Sequence, residues 1–417
     1  MKALTKISIG FLALAAAALW FTSCSSEDVA QNGGSQSDKE SLLTLTINTG
    51  KIMGSRTTDW TSDPAGANES KISAITIGIF DGATKNVKAI IEPTKGTDDT
   101  DPGNNKFTYS TTTQKITAKV IAKALSVNDD VLVAVNPAGS GKFASVSDEN
   151  SFNAVTESLS EALGTGTSQD NANIPMYGTG KLVAASSTST NSFTASDIAV
   201  KRLLAKISLT NLSVNFSGIY ASAEFTPTCC FLINVPENLK FADGKDSWNM
   251  AAALNSGWAK YDSSAGSFTY TAGNSDIVGD FKEFLTTKNL SDPLKALKGT
   301  EAYGSKVYFY TMPNGNDKAS AKNTKLVIAG KFKANSTASE QMVYYPVPLN
   351  VSIAAGGTET PGQDDKYKVY PNKNYICDVT IKTIGVANPN LNLDPQDATI
   401  TIKVEDWTSV NQTTIFD

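Results

Sequence analysis

Apolar and polar residues alternate with a period of two in segments spread along the whole chain. Leu43, Leu45 and Ile47 alternate with Thr44, Thr46 and Asn48, and Gly50 closes the run. The same period recurs at Ile75, Ile77 and Ile79, and at Val131, Val133 and Val135 before Asn136-Pro137. It returns at Leu203, Ala205, Ile207 and Leu209, at Val379 and Ile381, and at Ile400, Ile402 and Val404. Neighbouring side chains of a strand point to opposite faces, so each run predicts a half-buried strand. Stretches of Gly, Asn, Asp, Ser and Pro between the runs supply the turns. Only Phe152, Val155, Leu159 and Leu163 keep a clear helical spacing, which predicts an accessory helix. The fold class is mainly β, with two antiparallel β-sandwich-like (transthyretin-like) domains and short accessory helices. Their boundary is placed in the Ser/Thr-rich stretch Ala184 to Ser196.

The amino terminus departs from this pattern. Lys2 and Lys6 lead into an apolar run, Ile7 to Phe21, which is too short to span a bilayer comfortably and reads as a secretion signal covering residues 1–23. Phe21-Thr22-Ser23-Cys24 resembles the lipobox of bacterial lipoproteins, which implies lipidation of Cys24 and a lipid-anchored precursor at the cell outer membrane. Ser25-Ser26-Glu27-Asp28 resembles the export tag of surface lipoproteins in anaerobic Gram-negative bacteria. Residues 25–40 are rich in Ser, Gln, Gly, Asn and acids, the composition of a tether. Lys51 to Asn68, polar and carrying Gly54, Pro64 and Gly66, reads as a loop.

Composition then removes whole classes of function. The chain of 417 residues holds no histidine, which excludes Ser-His triads, His-ligated zinc and most general-base chemistry near neutral pH. Without the five basic and four acidic residues of 1–56, 31 basic and 37 acidic groups remain, a net charge of −6 that disfavours nucleic acid. Glu157 and Glu161 stand four apart on the predicted helix, a spacing that usually marks a solvated face rather than a catalytic pair. No enzyme activity, cofactor, metal or catalytic residue is expected. Of the cysteines left beside Cys24, Cys229 and Cys230 are adjacent and point to opposite faces of a strand, and Cys377 shares an apolar face with Tyr375, Val379 and Ile381. All three are expected to be buried free thiols rather than a disulfide framework.

A series of motifs carries a family resemblance. Ile174-Pro175-Met176-Tyr177-Gly178, followed by Val200-Lys201-Arg202-Leu203-Leu204-Ala205-Lys206-Ile207, resembles a signature of the fimbrillins, the subunits of type V pili. Phe225-Thr226-Pro227, Phe231 to Pro236, Thr324 to Ile328, Tyr344 to Val347 and Asn372 to Thr380 follow in the family's order. The chain ends in Ile400 to Gln412, where Val404, Trp407 and Gln412 resemble the terminal strand of these subunits.

The resemblance implies polymerisation by donor-strand exchange, with an arginine-specific protease cutting in the loop after the first strand. The chain has only two arginines: Arg56 lies in that loop and Arg202 in a predicted strand, so one accessible target is expected, between Arg56 and Thr57. The cut would sever a leaving strand bearing Leu43, Leu45 and Ile47. Losing an interior strand opens a groove with unpaired backbone groups and an apolar floor. Ala398 to Thr408, about 36 Å long at about 3.3 Å per residue, alternates as the leaving strand does and offers a replacement through Ile400, Ile402, Val404 and Trp407. The resulting organisation is a signal at 1–23, a lipidated propeptide at 24–56 and a first β domain at 57–195. A second β domain follows at 196–417, ending in a donor strand at about 398–417. The partners implied are other copies of the chain or related fimbrial subunits, the protease, and the outer membrane through the lipid. A shaft role is favoured over a tip. The alternative is a surface glycan-binding lipoprotein serving an outer-membrane transporter, for which five tryptophans and thirteen tyrosines offer a sugar platform.

Overall fold

The computed structural model describes residues 39–407, apart from 51–67, 98–102, 164–171, 187–190, 256–257, 263–266, 272–281, 285–295, 304–306, 355–357, 363–364 and 394–397. Cys24, Arg56, Thr57 and Gln412 lie outside the described residues. The architecture is mainly β, and the described residues form four sheets of five or more strands. Those of the first half are β1 (Glu40–Asn48), β2 (Ile75–Phe80), β3 (Val87–Ile91), β4 (Thr94–Lys95), β5 (Lys106–Ser110), β6 (Lys115–Lys123), β7 (Asp130–Val135), β8 (Thr156–Ser158), β9 (Met176–Lys181), β10 (Val183–Ala184), β11 (Ser192–Ala199) and β12 (Lys201–Arg202). The principal strands of the second half are β13 (Ala205–Val214), β14 (Glu224–Ile233), β15 (Asn238–Lys240), β16 (Val307–Thr311), β17 (Lys325–Lys333), β18 (Gln341–Pro348), β19 (Val351–Ile353), β20 (Lys373–Ile381) and β21 (Ala398–Asp406).

In the first half a six-stranded sheet, ordered β10-β11-β1-β6-β5-β4, faces a five-stranded sheet, β12-β9-β7-β2-β3. Leu43, Leu45, Ile47, Ile77, Ile116, Val120, Val133 and Ile198 meet between them. All six residues of β2 and all six of β7 are buried, not every second one. The reason is a second covered face: Ile77 and Val133 face the inter-sheet core, whereas Phe80, Leu132 and Ala134 belong to a core shared with the second half. Gly78 lies on that second face, where an added Cβ would stand 2.6 Å from the ring of Phe80 and 2.9 Å from that of Phe152.

The second half repeats the scheme. β13 pairs antiparallel with β16 and parallel with β20, as β1 pairs antiparallel with β6 and parallel with β11. Each parallel ladder is interrupted near its middle, between Leu45 and Ile47 and between Leu209 and Asn211. The seven-stranded sheet continues from β20 through β21 to β19, and β14, β17 and β18 form the core of the facing sheet. Leu203 falls in the bend before β13 rather than in the strand.

The single predicted helix is two one-turn helices with a strand between them. Asp148 caps α1 (Glu149–Asn153) by accepting from the Ser151 N–H at 2.7 Å. The chain then enters β8 before α2 (Leu159–Leu163). β8 exists because β15 offers it a ladder, Leu239 lying opposite Glu157, and a tertiary partner of this kind overrides helical periodicity. The expected solvated face is corrected with it: Glu157 is 1% exposed. The same pairing ties the halves together, helped by Phe143, which packs on Phe241 at 5.4 Å and on Phe152 at 4.4 Å. Lys39–Asp417 is accordingly one compact unit, and the expected boundary between 57–195 and 196–417 falls inside β11.

Candidate strand-exchange site

β1 occupies an interior position, not an edge. It makes nine residue pairs with β6, from Glu40 opposite Lys123 to Asn48 opposite Lys115, and six with β11 on its other side. Leu43, Leu45 and Ile47 are each 0% exposed, while Leu42, Thr44, Thr46 and Asn48 are half-buried on the outer face. Its ends are tied by the Leu42 N–H to the Asn191 carbonyl at 3.0 Å and the Thr49 N–H to the Gln114 carbonyl at 3.1 Å. Burial of three such aliphatic side chains stabilises by about 1.5–3 kcal/mol each, so β1 contributes about 5–9 kcal/mol before its ladders are counted. That is comparable to the whole stability of an ordinary domain, about 5–15 kcal/mol. A body stripped of β1 needs another strand in its place.

β21 holds Ile400, Ile402 and Val404, whereas Trp407, expected within the same strand, stands in the bend that follows its last residue, Asp406. Ile400 and Ile402 are 2% and 6% exposed, Val404 is half-buried, and Lys403 is exposed on the opposite face. One side of β21 makes nine residue pairs with β20, from Ala398 opposite Ile381 to Asp406 opposite Lys373. The other side meets β19 at a single pair, Ile353 opposite Ile400. There the Ser352 Oγ substitutes for a ladder, accepting from the Ile402 N–H at 2.8 Å and donating to its carbonyl at 3.3 Å. The Trp407 N–H donates to the Asn372 carbonyl at 2.9 Å, and its ring is 7% exposed.

Beside Trp407 lies a buried polar cluster that no sequence pattern indicated. Glu69 stands in a single 3-10 turn, Asn68–Ser70, and is 2% exposed. Its Oε1 accepts from the Lys206 ammonium at 2.9 Å and the Tyr310 hydroxyl at 2.5 Å, and its Oε2 accepts from the Trp407 indole N–H at 2.9 Å. The rings of Tyr310 and Trp407 stack at 5.5 Å with 17° between planes. Arg202, 1% exposed, sits over the Trp407 ring at 5.1 Å and donates from Nη2 to the Glu69 carbonyl at 3.4 Å. Its Nε and Nη1 have no partner among the described residues. Burial pulls the guanidinium below its ordinary pKa, with the Glu69 carboxylate acting in the opposite sense. Buried as it is, Arg202 presents no site to a protease.

A second buried carboxylate lies away from both strands. Glu157 accepts from the Ala138 N–H at 3.0 Å, and the Lys142 ammonium stands 3.4 Å from the same Oε2 and 3.0 Å from Glu161. Burial pushes the Glu157 carboxyl up to about 7, against the opposing pull of the Ala138 N–H and Lys142. Cys229, Cys230 and Cys377 are buried, and among the described residues none of them is in a disulfide. Cys229 and Cys230 lie in different cores, on opposite faces of β14, and burial raises the Cys377 thiol to about 12. Among the described residues no cluster of three acids or cysteines is placed to hold a metal ion.

No protein-family model and no curated protein matches the chain by sequence. Solved structures do match. A protein assigned to cell adhesion from Bacteroides eggerthii superposes with a TM-score of 0.55 at 16% identity, covering 90% of this chain and 98% of that one. One from Parabacteroides distasonis gives 0.56 at 14% identity, covering 90% and 99%. A fimbrilin from Porphyromonas gingivalis gives 0.51 at 18% identity, covering 89% and 99%. The chain has the fimbrilin fold. It is shared over nearly the full length of each of these structures, so it takes in the sheets of β1 and of β21 together.

Proposed function

We propose that the chain is a structural subunit of a cell-surface fimbria, supporting adhesion, which polymerises when proteolysis exchanges β1 for the carboxy-terminal strand of a neighbouring copy. The observation that carries this reading is the place of β1: an interior strand whose apolar face completes a core, joined to the rest of the chain through the segment containing Arg56. The fimbrilin fold of the chain and the names of its structural relatives support it. The precursor is held at the outer membrane by lipid on Cys24. An arginine-specific protease cuts between Arg56 and Thr57, and the subunit passes into the extracellular filament.

The two strands match in register. Leu43, Leu45 and Ile47 would be replaced by Ile400, Ile402 and Val404, with Ala398 over the site of Ser41 and polar residues between. The swap costs about one methylene of volume, a change cores tolerate. The donor strand has a single residue pair with β19 on one side, so leaving its own sheet breaks one full ladder rather than two. Donor and acceptor differ, so the contact is head-to-tail and grows an open filament. The test is treatment of the unprocessed chain with an arginine-specific protease. A single new amino terminus at Thr57 and heat-resistant ladders on denaturing gels are expected, with Arg56→Ala remaining monomeric. A chain that starts at Thr57 and stays monomeric would overturn the reading.

A further inference from the structure

Cleavage after Arg56 detaches β1 but leaves Glu69 with the body, because Glu69 follows the cut in sequence. The polar cluster around Trp407 therefore survives processing. We propose that this cluster is a latch on the carboxy-terminal strand, a second gate that proteolysis does not open, which must release before the strand is donated; the gating role rests on the fimbrial reading above.

Three observations carry it. First, the latch grips the end of β21, the strand with one full ladder, and grips it with residues from elsewhere: Glu69 from the turn before β2, Arg202 from β12, Tyr310 from β16 and Asn372 from the residue before β20. Second, each contact is made to Trp407, so withdrawing one residue undoes all of them together. Third, withdrawal is penalised on both sides. The Trp407 indole donates to Glu69 Oε2, so withdrawal takes one donor from a buried carboxylate whose Oε1 keeps Lys206 and Tyr310, and that lost bond to a charged group is the cost on this side. Arg202, whose Nε and Nη1 lack partners among the described residues, would lose its aromatic face as well. Among the described residues β1 has no equivalent cluster; Ser41 and Thr49 are the buried polar residues at its ends, and Thr49 bonds the Gln114 carbonyl and the Tyr109 side chain beside it. The acceptor is thus held closed by a covalent connection, the donor by a polar contact.

Local opening of β21 reads the latch without any filament. Hydrogen exchange of the unprocessed chain, followed by mass spectrometry, compares residues 398–406 with residues 325–333 of β17 in the facing sheet. Trp407→Phe keeps an aromatic ring but removes the donor, and Glu69→Gln halves the acceptors. In both, exchange in 398–406 should accelerate about tenfold or more, the worth of one hydrogen bond to a charged group, with 325–333 unchanged. Unchanged exchange in 398–406, or equal acceleration in both segments, would overturn the latch. The gating role is read after protease treatment, using Glu69→Gln, which lies outside both exchanging strands. Faster laddering than the parent supports it, and equal rates refute it. Accelerated exchange with no ladders from either protein would sink the fimbrial reading while leaving the latch in place.

Discussion

Leu45→Ala tests whether β1 leaves, as proposed, while the core around it stays. Leu45 is fully buried, and its neighbours across both ladders are alanines, Ala118 of β6 and Ala195 of β11. Those small residues cannot swing in to fill the space, so the cavity persists. Large-to-small changes of this kind cost about 2–5 kcal/mol, and a site that cannot collapse sits in the upper part of that range, about 3–4 kcal/mol. The unprocessed chain should lose that much in urea unfolding, with its slope against denaturant unchanged. In the filament proposed above β1 would be replaced, so the heat resistance of Leu45→Ala ladders should equal that of the parent. Val120→Ala provides the control, because Val120 lies on β6, faces the same core and remains after processing. It should weaken both the precursor and the filament. Leu45→Ala ladders that dissociate as readily as those of Val120→Ala would show that β1 is retained, and the exchange mechanism would fall.

Ile402→Asp should abolish ladders, because it places an unpaired carboxylate on the buried face of β21 at a cost of several kcal/mol, whereas Lys403→Asp on the exposed face should be far milder. Equal behaviour of the two in a ladder assay would contradict the donor register. Glu157 gives a pH dependence: its folded pKa is raised by burial to about 7, so the native state binds the extra proton and stability falls as pH rises from about 4.5 through 7. The loss should reach about 3 kcal/mol at the upper end, and Glu157→Gln, measured by urea unfolding across that range, should flatten it. Cys24→Ala should abolish labelling of the precursor by a radioactive fatty acid, and undiminished label would refute lipidation at that residue.

Much of the fold was legible because alternation is a local signal. β1 and β21 were visible as Leu43-x-Leu45-x-Ile47 and Ile400-x-Ile402-x-Val404, and their burial follows that alternation. What failed depended on partners distant in the chain. Phe152, Val155, Leu159 and Leu163 keep a helical period, yet Thr156–Ser158 pairs with Asn238–Lys240, which nothing nearby in sequence announces. Glu157 was misplaced for the same reason. The interior position of β1 also rests on a distant strand, since β11 closes its second side in parallel. Glu69 was illegible altogether: a lone acid in the polar stretch Ala67-Asn68-Glu69-Ser70 has no periodic neighbour, and its burial is created by Lys206, Tyr310 and Trp407.

The joint between the two halves takes on a mechanical meaning in a filament. Tension would enter a subunit through the groove of β1 and leave through β21, which belong to different sheet pairs, so every subunit would carry the load across its own waist. The crossing includes the β8–β15 ladder, the packing of Phe143 on Phe241 and the bonds of Glu69 to Lys206, Tyr310 and Trp407, beside one continuous apolar core. Strands pulled along their length share force among all their hydrogen bonds at once, whereas strands pulled sideways lose those bonds in succession. A three-pair ladder would give way early if it were peeled, and the contacts beside it would share the load with it.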